Sequence, residues 1–319
     1  MRPSNPQSEL NGQWFLVLNP AAGGGKGERA WPSVEKALSS AGILFKFYRT
    51  KESYDAVNAV KLAIEQGYRK ILVVGGDGTL SEAANGILRQ QTVASTGVTL
   101  GSIPLGTGND WGRTFGLPSS VKERIQLIKE EFTTFEDAAK ITYMKGGMTQ
   151  HAWFMNMAGC GFDAQVALEA NEAKAKGKSG LMVYIIKLVK TLFSFKAVQC
   201  KVVMDGREEK AELFAALCGI GRFAGNKMNL VPNADPTDGL FDITLIRKIG
   251  RLKVILNLPK LFNGKLLEIS EISHHRCKHV RIIPEKMIRL QTDGESVGEA
   301  PVEMRILPGA LKVVVKRRN

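Results

Sequence analysis

The stretch KILVVGGDGTLSEAANGIL, Lys70 to Leu88, decides the fold. An apolar run, Ile71 to Val74, empties into Gly75-Gly76-Asp77-Gly78-Thr79, and a helical pattern follows over Leu80 to Arg89. This is a buried strand, a glycine turn and a helix N-terminus. Such a terminus presents unpaired backbone N–H groups and the positive end of a dipole, which suit a phosphate. Asp77 adds a carboxylate able to hold a metal on that anion.

The same alternation surrounds it. Trp14 to Leu18 predicts a strand ending at Asn19-Pro20, followed by a glycine loop, Gly23 to Gly27, and a helix over Glu28 to Ala41. Ile43 to Tyr48 predicts a second strand, Tyr54 to Gln66 a helix, and Thr99 to Ile103 a strand closed by Pro104. Strand–helix alternation implies parallel strands with crossover helices and ligands at their carboxyl ends. From about Phe135 the pattern turns to β segments between Gly, Asn and Asp turns: Lys140–Met144, His151–Met157, Ala197–Met204, Leu213–Ile220, Phe241–Ile246, Val280–Pro284, Ile288–Thr292 and Leu311–Lys316. Helical patterns interrupt them at Leu168 to Phe195, broken at 177–180, and at Arg251 to Leu261. The expected architecture is an α/β nucleotide-binding domain over 1–136 and a mostly antiparallel, β-rich acceptor domain over 137–306. The tail 307–319 is free to return to the first domain.

Composition narrows the function. The chain has 319 residues, 44% apolar and 24% charged, an ordinary globular balance with room for two domains. No run is apolar for the length a bilayer span needs, and the polar start MRPSNPQSELNGQ has no signal-peptide core. Cys160, Cys200, Cys218 and Cys277 lack CxxC spacing, which fits reduced thiols in a cytoplasmic protein. A net charge of +13 favours anionic partners. Nucleic acid is not expected, since no C2H2 pattern, RNP-like motif or dense basic tract is present.

Several segments bear on chemistry. Gly23 to Gly27 fails as a P-loop because Gly27, not Ser or Thr, follows Lys26. A second glycine turn, GSIPLGTGNDWGRTFG from Gly101 to Gly116, follows a strand, and two such turns can close on one ligand. Thr292-Asp293-Gly294-Glu295 carries two carboxylates after an apolar strand: a hairpin turn, or a pair able to deprotonate a hydroxyl. Asp235-Pro-Thr-Asp238-Gly-Leu240-Phe-Asp242 is either an acidic turn or a hard-cation loop. Ser273-His-His-Arg-Cys-Lys-His279 puts His275, Cys277 and His279 on one strand face, where a basic face is preferred to a zinc site. Lys174 to Lys196 and Lys253 to Lys265 are basic and amphipathic, either core-facing or suited to an anionic membrane surface.

Asn19-Pro20 with its loop, GGDGTLSEAANG, PLGTGNDWGRTFGLP, Asn233 to Asp242 and Thr292 to Glu295 together resemble the diacylglycerol kinase family. More narrowly they look like its soluble bacterial lipid kinases, related to sphingosine kinases and more distantly to NAD kinases. Ser81 stands where that family more often has Asn. The resemblance implies an ATP-dependent lipid kinase on a diacylglycerol kinase/NAD kinase-like fold, with ATP in the cleft between its domains. It implies ATP contacts from Asn19, Pro20, Ala21, Ala22, Gly23, Thr50, Gly76, Asp77, Gly78, Thr79, Leu80, Ser81, Glu82, Thr107 and Asn109. Asp77 would act through Mg2+. Glu295 would accept the hydroxyl proton, with Asp293 assisting or binding metal. Asp235, Asp238 and the Leu240 carbonyl would hold a structural magnesium. A lipid substrate, peripheral association with an anionic membrane and, as an open alternative, a homodimer follow. Sphingoid-base or ceramide kinase, NAD kinase and a non-catalytic nucleotide or lipid sensor remain as alternatives.

Overall fold

The computed structural model describes residues 10, 12–105, 108–175 and 181–317. The chain divides into two units, Met1–Glu136 with Gly309–Asn319, and Asp137–Pro308.

The first unit runs β1 (Trp14–Leu18), α1 (Ala22–Ser40), β2 (Phe45–Arg49), α2 (Asp55–Glu65), β3 (Lys70–Gly75), α3 (Asp77–Arg89), β4 (Thr99–Pro104), α4 (Asp110–Thr114) and α5 (Val121–Glu130). The strand order is β2-β1-β3-β4, every pair parallel. β1 is buried throughout and β3 nearly so, because helices cover a sheet of this kind and leave no polar face. Trp31, Val34 and Leu38 of α1, and Ala56, Val60 and Ile64 of α2, enter the core.

β5 (Thr133–Lys145) leads into the second unit. There follow β6 (Met148–Phe154), β7 (Met157–Gly161), α6 (Phe162–Ala175), α7 (Leu181–Ser194), β8 (Val198–Met204), β9 (Arg207–Gly219), β10 (Phe223–Ala224), β11 (Met228–Asn229) and β12 (Phe241–Arg247). The chain continues through α8 (Arg251–Asn257), α9 (Lys260–Asn263), β13 (Ile272–Cys277), β14 (His279–Pro284), β15 (Arg289–Thr292) and β16 (Glu295–Val314). Pairing runs β9-β7-β15-β16-β14-β8 and back to β9, all antiparallel, so these strands close on themselves. Inside sit Cys160, Cys200, Val202, Phe241, Leu290 and Val302. All four cysteines are free and buried. The far end of β16 belongs to the first unit, where Lys312 and Val313 pair in parallel with Thr99 and Leu100 of β4.

The structure departs from the sequence reading at several places. α3 begins at Asp77 rather than Leu80, so the turn's Asp-Gly-Thr is already the first helical turn. α6 begins at Phe162, six residues before Leu168. His151–Met157 is two strands, β6 and β7, interrupted at Met155 and Asn156. His275 and Cys277 lie on β13 but His279 opens β14. The histidines of this stretch take neighbours in the sheet: His274 meets Asp242 at 2.6 Å, His275 meets Ser273 at 3.0 Å and His279 meets Glu303 at 3.0 Å.

Candidate active site

In the first unit the loop after β1 and the first turn of α3 are tied together. The Asn19 side-chain amide donates to Thr79 Oγ1 at 2.8 Å, and its Oδ1 accepts from the Ala21 amide at 3.0 Å. Gly23, Gly24 and Gly25 have φ of 60, 71 and 82°, three consecutive left-handed residues that side chains would make costly. Lys26 and Arg29 follow and, with Ala30, Pro104 and Leu105, line an open concavity of about 470 Å³ at the strand ends. Two cations beside a glycine loop suit an anion, and one of them, Arg29, also donates to the Gly24 carbonyl at 3.3 Å. The sequence reading passed over Arg29; its signal was a pair of cations three residues apart in the helix's opening turn.

Asp77 stands at the base of α3 with both oxygens engaged. Oδ2 accepts from the Asp110 amide at 3.1 Å and Oδ1 from the Trp111 amide at 3.3 Å, which joins the two glycine turns. Burial pushes its carboxyl above the usual range, against the pull of these amides, the Asn109 amide and Arg113. Beneath the second turn lies Arg124, 2% exposed. It donates to Pro118 O at 2.7 Å, Ser102 Oγ at 3.3 Å and Asn109 Oδ1 at 3.1 Å. Burial lowers its pKa to about 10, and Asp77 opposes that shift. Arg124 thereby fixes Asn109, whose φ of 53° is left-handed.

The other expected nucleotide residues divide. Gly76 is the N-cap of α3 and Gly78 lies in its first turn. Pro20 is partly exposed and Ala21 exposed, whereas Ala22 is buried. Thr50 is buried, with Oγ1 3.4 Å from Leu18 O, and Leu80 packs in the core. Glu82 accepts from the Ala56 amide at 3.3 Å and so serves the start of α2. Ser81 is partly exposed, and its carbonyl accepts from Asn85 at 3.0 Å. Thr107 lies outside the described residues.

In the second unit, Asp293 lies in the turn between β15 and β16. Its Oδ1 accepts from the amides of Asn156 and Met157 at 3.1 and 3.0 Å, and Oδ2 from Met155 at 3.3 Å. Met155 and Asn156 lie between β6 and β7 and Met157 opens β7, so a carboxylate 136 to 138 positions away takes up the amides at the break. Glu295 is exposed at the head of β16. Asn171 of α6 donates to Gly294 O at 2.9 Å and to Glu295 Oε2 at 3.4 Å. Asp293 is the anchor of this loop and Glu295 its presented carboxylate. Sequence reasoning missed Asn171, which sits on a helix and carries no local motif.

The metal expectations meet different chemistry. Among the described residues no three His, Cys, Asp or Glu side chains gather at one point. Magnesium on a nucleotide needs only one or two carboxylates, the phosphates and water supplying the rest. Asp77 fits that demand, because an ionised carboxylate oxygen bound to one amide keeps a second lone pair. The Asp235 loop fits less well. Asp235 Oδ1 accepts from the Thr237 amide at 3.0 Å, Asp238 Oδ1 accepts from the Leu240 amide at 3.0 Å, and Arg276 pairs with Asp238 Oδ2. A cation there would have to displace Arg276.

A parallel sheet ending in a glycine-turn anion cradle, followed by a β unit with a presented carboxylate, has the parts of a phosphotransferase. Residues 13–141 match the diacylglycerol kinase catalytic domain, and residues 156–315 match the YegS C-terminal NAD kinase beta sandwich-like domain. A diacylglycerol kinase of Mycobacterium tuberculosis (strain H37Rv) is 32% identical over 97% of this chain and 96% of its own. One from Staphylococcus haemolyticus is 29% identical over 93% and 86%. A crystal structure from Bacillus anthracis str. Sterne, provisionally named a diacylglycerol kinase, superposes with a TM-score of 0.75 at 28% identity, covering 96% of this chain and 97% of that one. Yeast NADH kinase, at 12% identity and a TM-score of 0.54, shares the fold. The chain belongs to the diacylglycerol kinase family, and it is a lipid kinase.

Proposed function

We propose that this enzyme transfers the γ-phosphoryl group of ATP to the primary hydroxyl of diacylglycerol. Glu295 carries the reading: it is exposed, held by Asn171, and adjacent to an Asp293 pinned by three amides. A carboxylate in that setting accepts the proton of an attacking hydroxyl. The ATP phosphates rest on Gly76 to Thr79 and the Asn19–Gly23 loop, with Lys26 and Arg29 neutralising charge. Asn109 is positioned beside them by Arg124. Thr50, Leu80 and Glu82 support this wall from beneath, while Ser81 and Thr107 are assigned to the nucleotide by resemblance alone. Asp77 would hold a magnesium ion, which would add to the neutralisation of the phosphates.

No helix among the described residues is long and apolar enough to cross a membrane. Access to a lipid is therefore assigned to an apolar surface on the second unit. Met182 and Ile186 of α7 are 69% and 58% exposed, and Leu252 and Leu256 of α8 are 69% and 71% exposed. Lys190 and Arg251 border them, which suits an anionic bilayer.

Labelled ATP with diacylglycerol, a sphingoid base, ceramide and NAD as acceptors tests the reading. Phosphate should pass to diacylglycerol; transfer to NAD alone, or to none of them, would overturn it.

A further inference from the structure

The second unit contains an apolar cavity of about 90 Å³ between α6, α7, β9 and the α8–α9 segment. Phe162, Val166, Leu188, Leu217 and Leu261 line it, and Asp163 is the one carboxylate among its described lining residues. Asp163 Oδ2 accepts from Gln291 Nε2 at 3.2 Å. Gln291 Oε1 accepts from the Gly294 amide at 2.9 Å, immediately before Glu295. A Cβ on Gly159 would lie 1.8 Å from Asp163 Oδ2 and 3.0 Å from Gln291 Nε2, so this contact exists because that position is glycine. The other oxygen, Oδ1, is sealed from water and meets no donor at good hydrogen-bond geometry among the described residues, although the first-turn amides of Asp163 and Ala164 lie close to the carboxylate. A buried polar atom of this kind is costly and has capacity for a further donor. Burial pushes the carboxyl up to about 7 against the pull of Gln291 and the first-turn amides, so a proton is available there near neutrality.

We propose that Asp163 is a positioning residue for phosphoryl transfer, linking the apolar cavity to the Glu295 loop through Gln291 and Gly294. α6 then holds that loop at two points, Asp163 in its first turn and Asn171 two turns later. The free oxygen meets an ester or hydroxyl oxygen of the acceptor whose chain enters the cavity. At about 90 Å³, roughly three waters' worth of liquid, the cavity must widen to admit that chain, and the wall it presses on carries Asp163. This assignment rests on the lipid kinase reading.

Two measurements on the full-length enzyme separate the linkage from that reading. Amide exchange of residues 289–298 needs no substrate. In Asp163→Ala it should quicken about five- to tenfold at Gly294, with the rest of the second unit protected. With diacylglycerol, Asp163→Ala should lower kcat ~10- to 100-fold while KM for ATP stays within about twofold. Asp163→Asn, whose amide oxygen still accepts from Gln291, should restore kcat to within about threefold. Unchanged exchange and kcat in Asp163→Ala would overturn the linkage. Should that variant fail to fold, Asp163→Leu fills a similar volume but cannot accept from Gln291, and wild-type exchange in it overturns the linkage equally. A wild-type enzyme inactive on lipids sinks the substrate reading alone, since the exchange result stands without it.

Discussion

Replacing Asp77 separates its two roles. Its carboxylate accepts from the amides of Asp110 and Trp111, which alanine leaves buried and unanswered. Hydrogen bonds to a charged group contribute about 1.5–3 kcal/mol each, so losing both in Asp77→Ala should cost the first unit about 3–6 kcal/mol. At about 2–4 °C per kcal/mol that is a fall in Tm of roughly 6–24 °C. Asp77→Asn keeps one acceptor oxygen and should cost about 1–2 kcal/mol. The charge works in the opposite direction. Burial raises the Asp77 pKa, so the folded state holds the proton more tightly than the unfolded chain. Its contribution to stability is largest below the unfolded value and declines as pH rises through the folded one. Asparagine escapes that decline, which narrows its deficit at neutral pH. Calorimetry across pH 5 to 8, beside turnover, reads both effects. Both variants should lose turnover by orders of magnitude, and only alanine should lose much stability. An Asp77→Ala enzyme melting with the wild type would refute the tie between the two glycine turns.

Further outcomes are expected elsewhere. Glu295→Gln should reduce lipid phosphorylation by about 10²- to 10⁴-fold with Tm unchanged, since the side chain is exposed; retained turnover would remove it as the base. Arg124→Lys cannot span Pro118, Ser102 and Asn109 at once, and should lower stability by roughly 2–4 kcal/mol in urea unfolding and raise KM for ATP. The Asp163 carboxyl, raised from 3.8 to about 7, contributes most below pH 4 and loses its contribution as pH rises to 7. Stability should therefore fall by about 2–4 kcal/mol across that interval through this group, and Asp163→Asn should flatten the fall seen by calorimetry. Leu252→Glu with Leu256→Glu should abolish co-sedimentation with anionic vesicles while sparing ATP binding; undiminished co-sedimentation would place the contact elsewhere.

Much of this was legible because local chemistry announced it. The runs Trp14–Leu18 and Ile71–Val74 are short, apolar and closed by Asn-Pro or Gly-Gly, so strands and turns could be placed from neighbours alone. The start of α3 is hidden because Asp-Gly-Thr looks like a turn, and the Asp77 carboxylate caps nothing in its own helix but turns to the amides of Asp110 and Trp111. α5 carried a readable cap, Ser120 accepting from the Glu123 amide at 3.5 Å, but its charged residues diluted the apolar period. The break between β6 and β7 could not be read locally, because the acceptor for its amides is Asp293. Arg124 was hidden for the same reason: a buried guanidinium is defined by acceptors that only the fold assembles.

The far end of β16 bears on how the protein is made. Lys312 and Val313 complete the sheet beside β4, and Val315 donates to Phe132 O at 3.0 Å. On the ribosome, β4 emerges roughly two hundred residues before the strand that covers it, about 10–40 s at ordinary rates of synthesis. Throughout that interval the edge of β4 is open to pairing with another chain. The first unit is thus begun first in synthesis yet receives its last strand only when the chain is nearly complete.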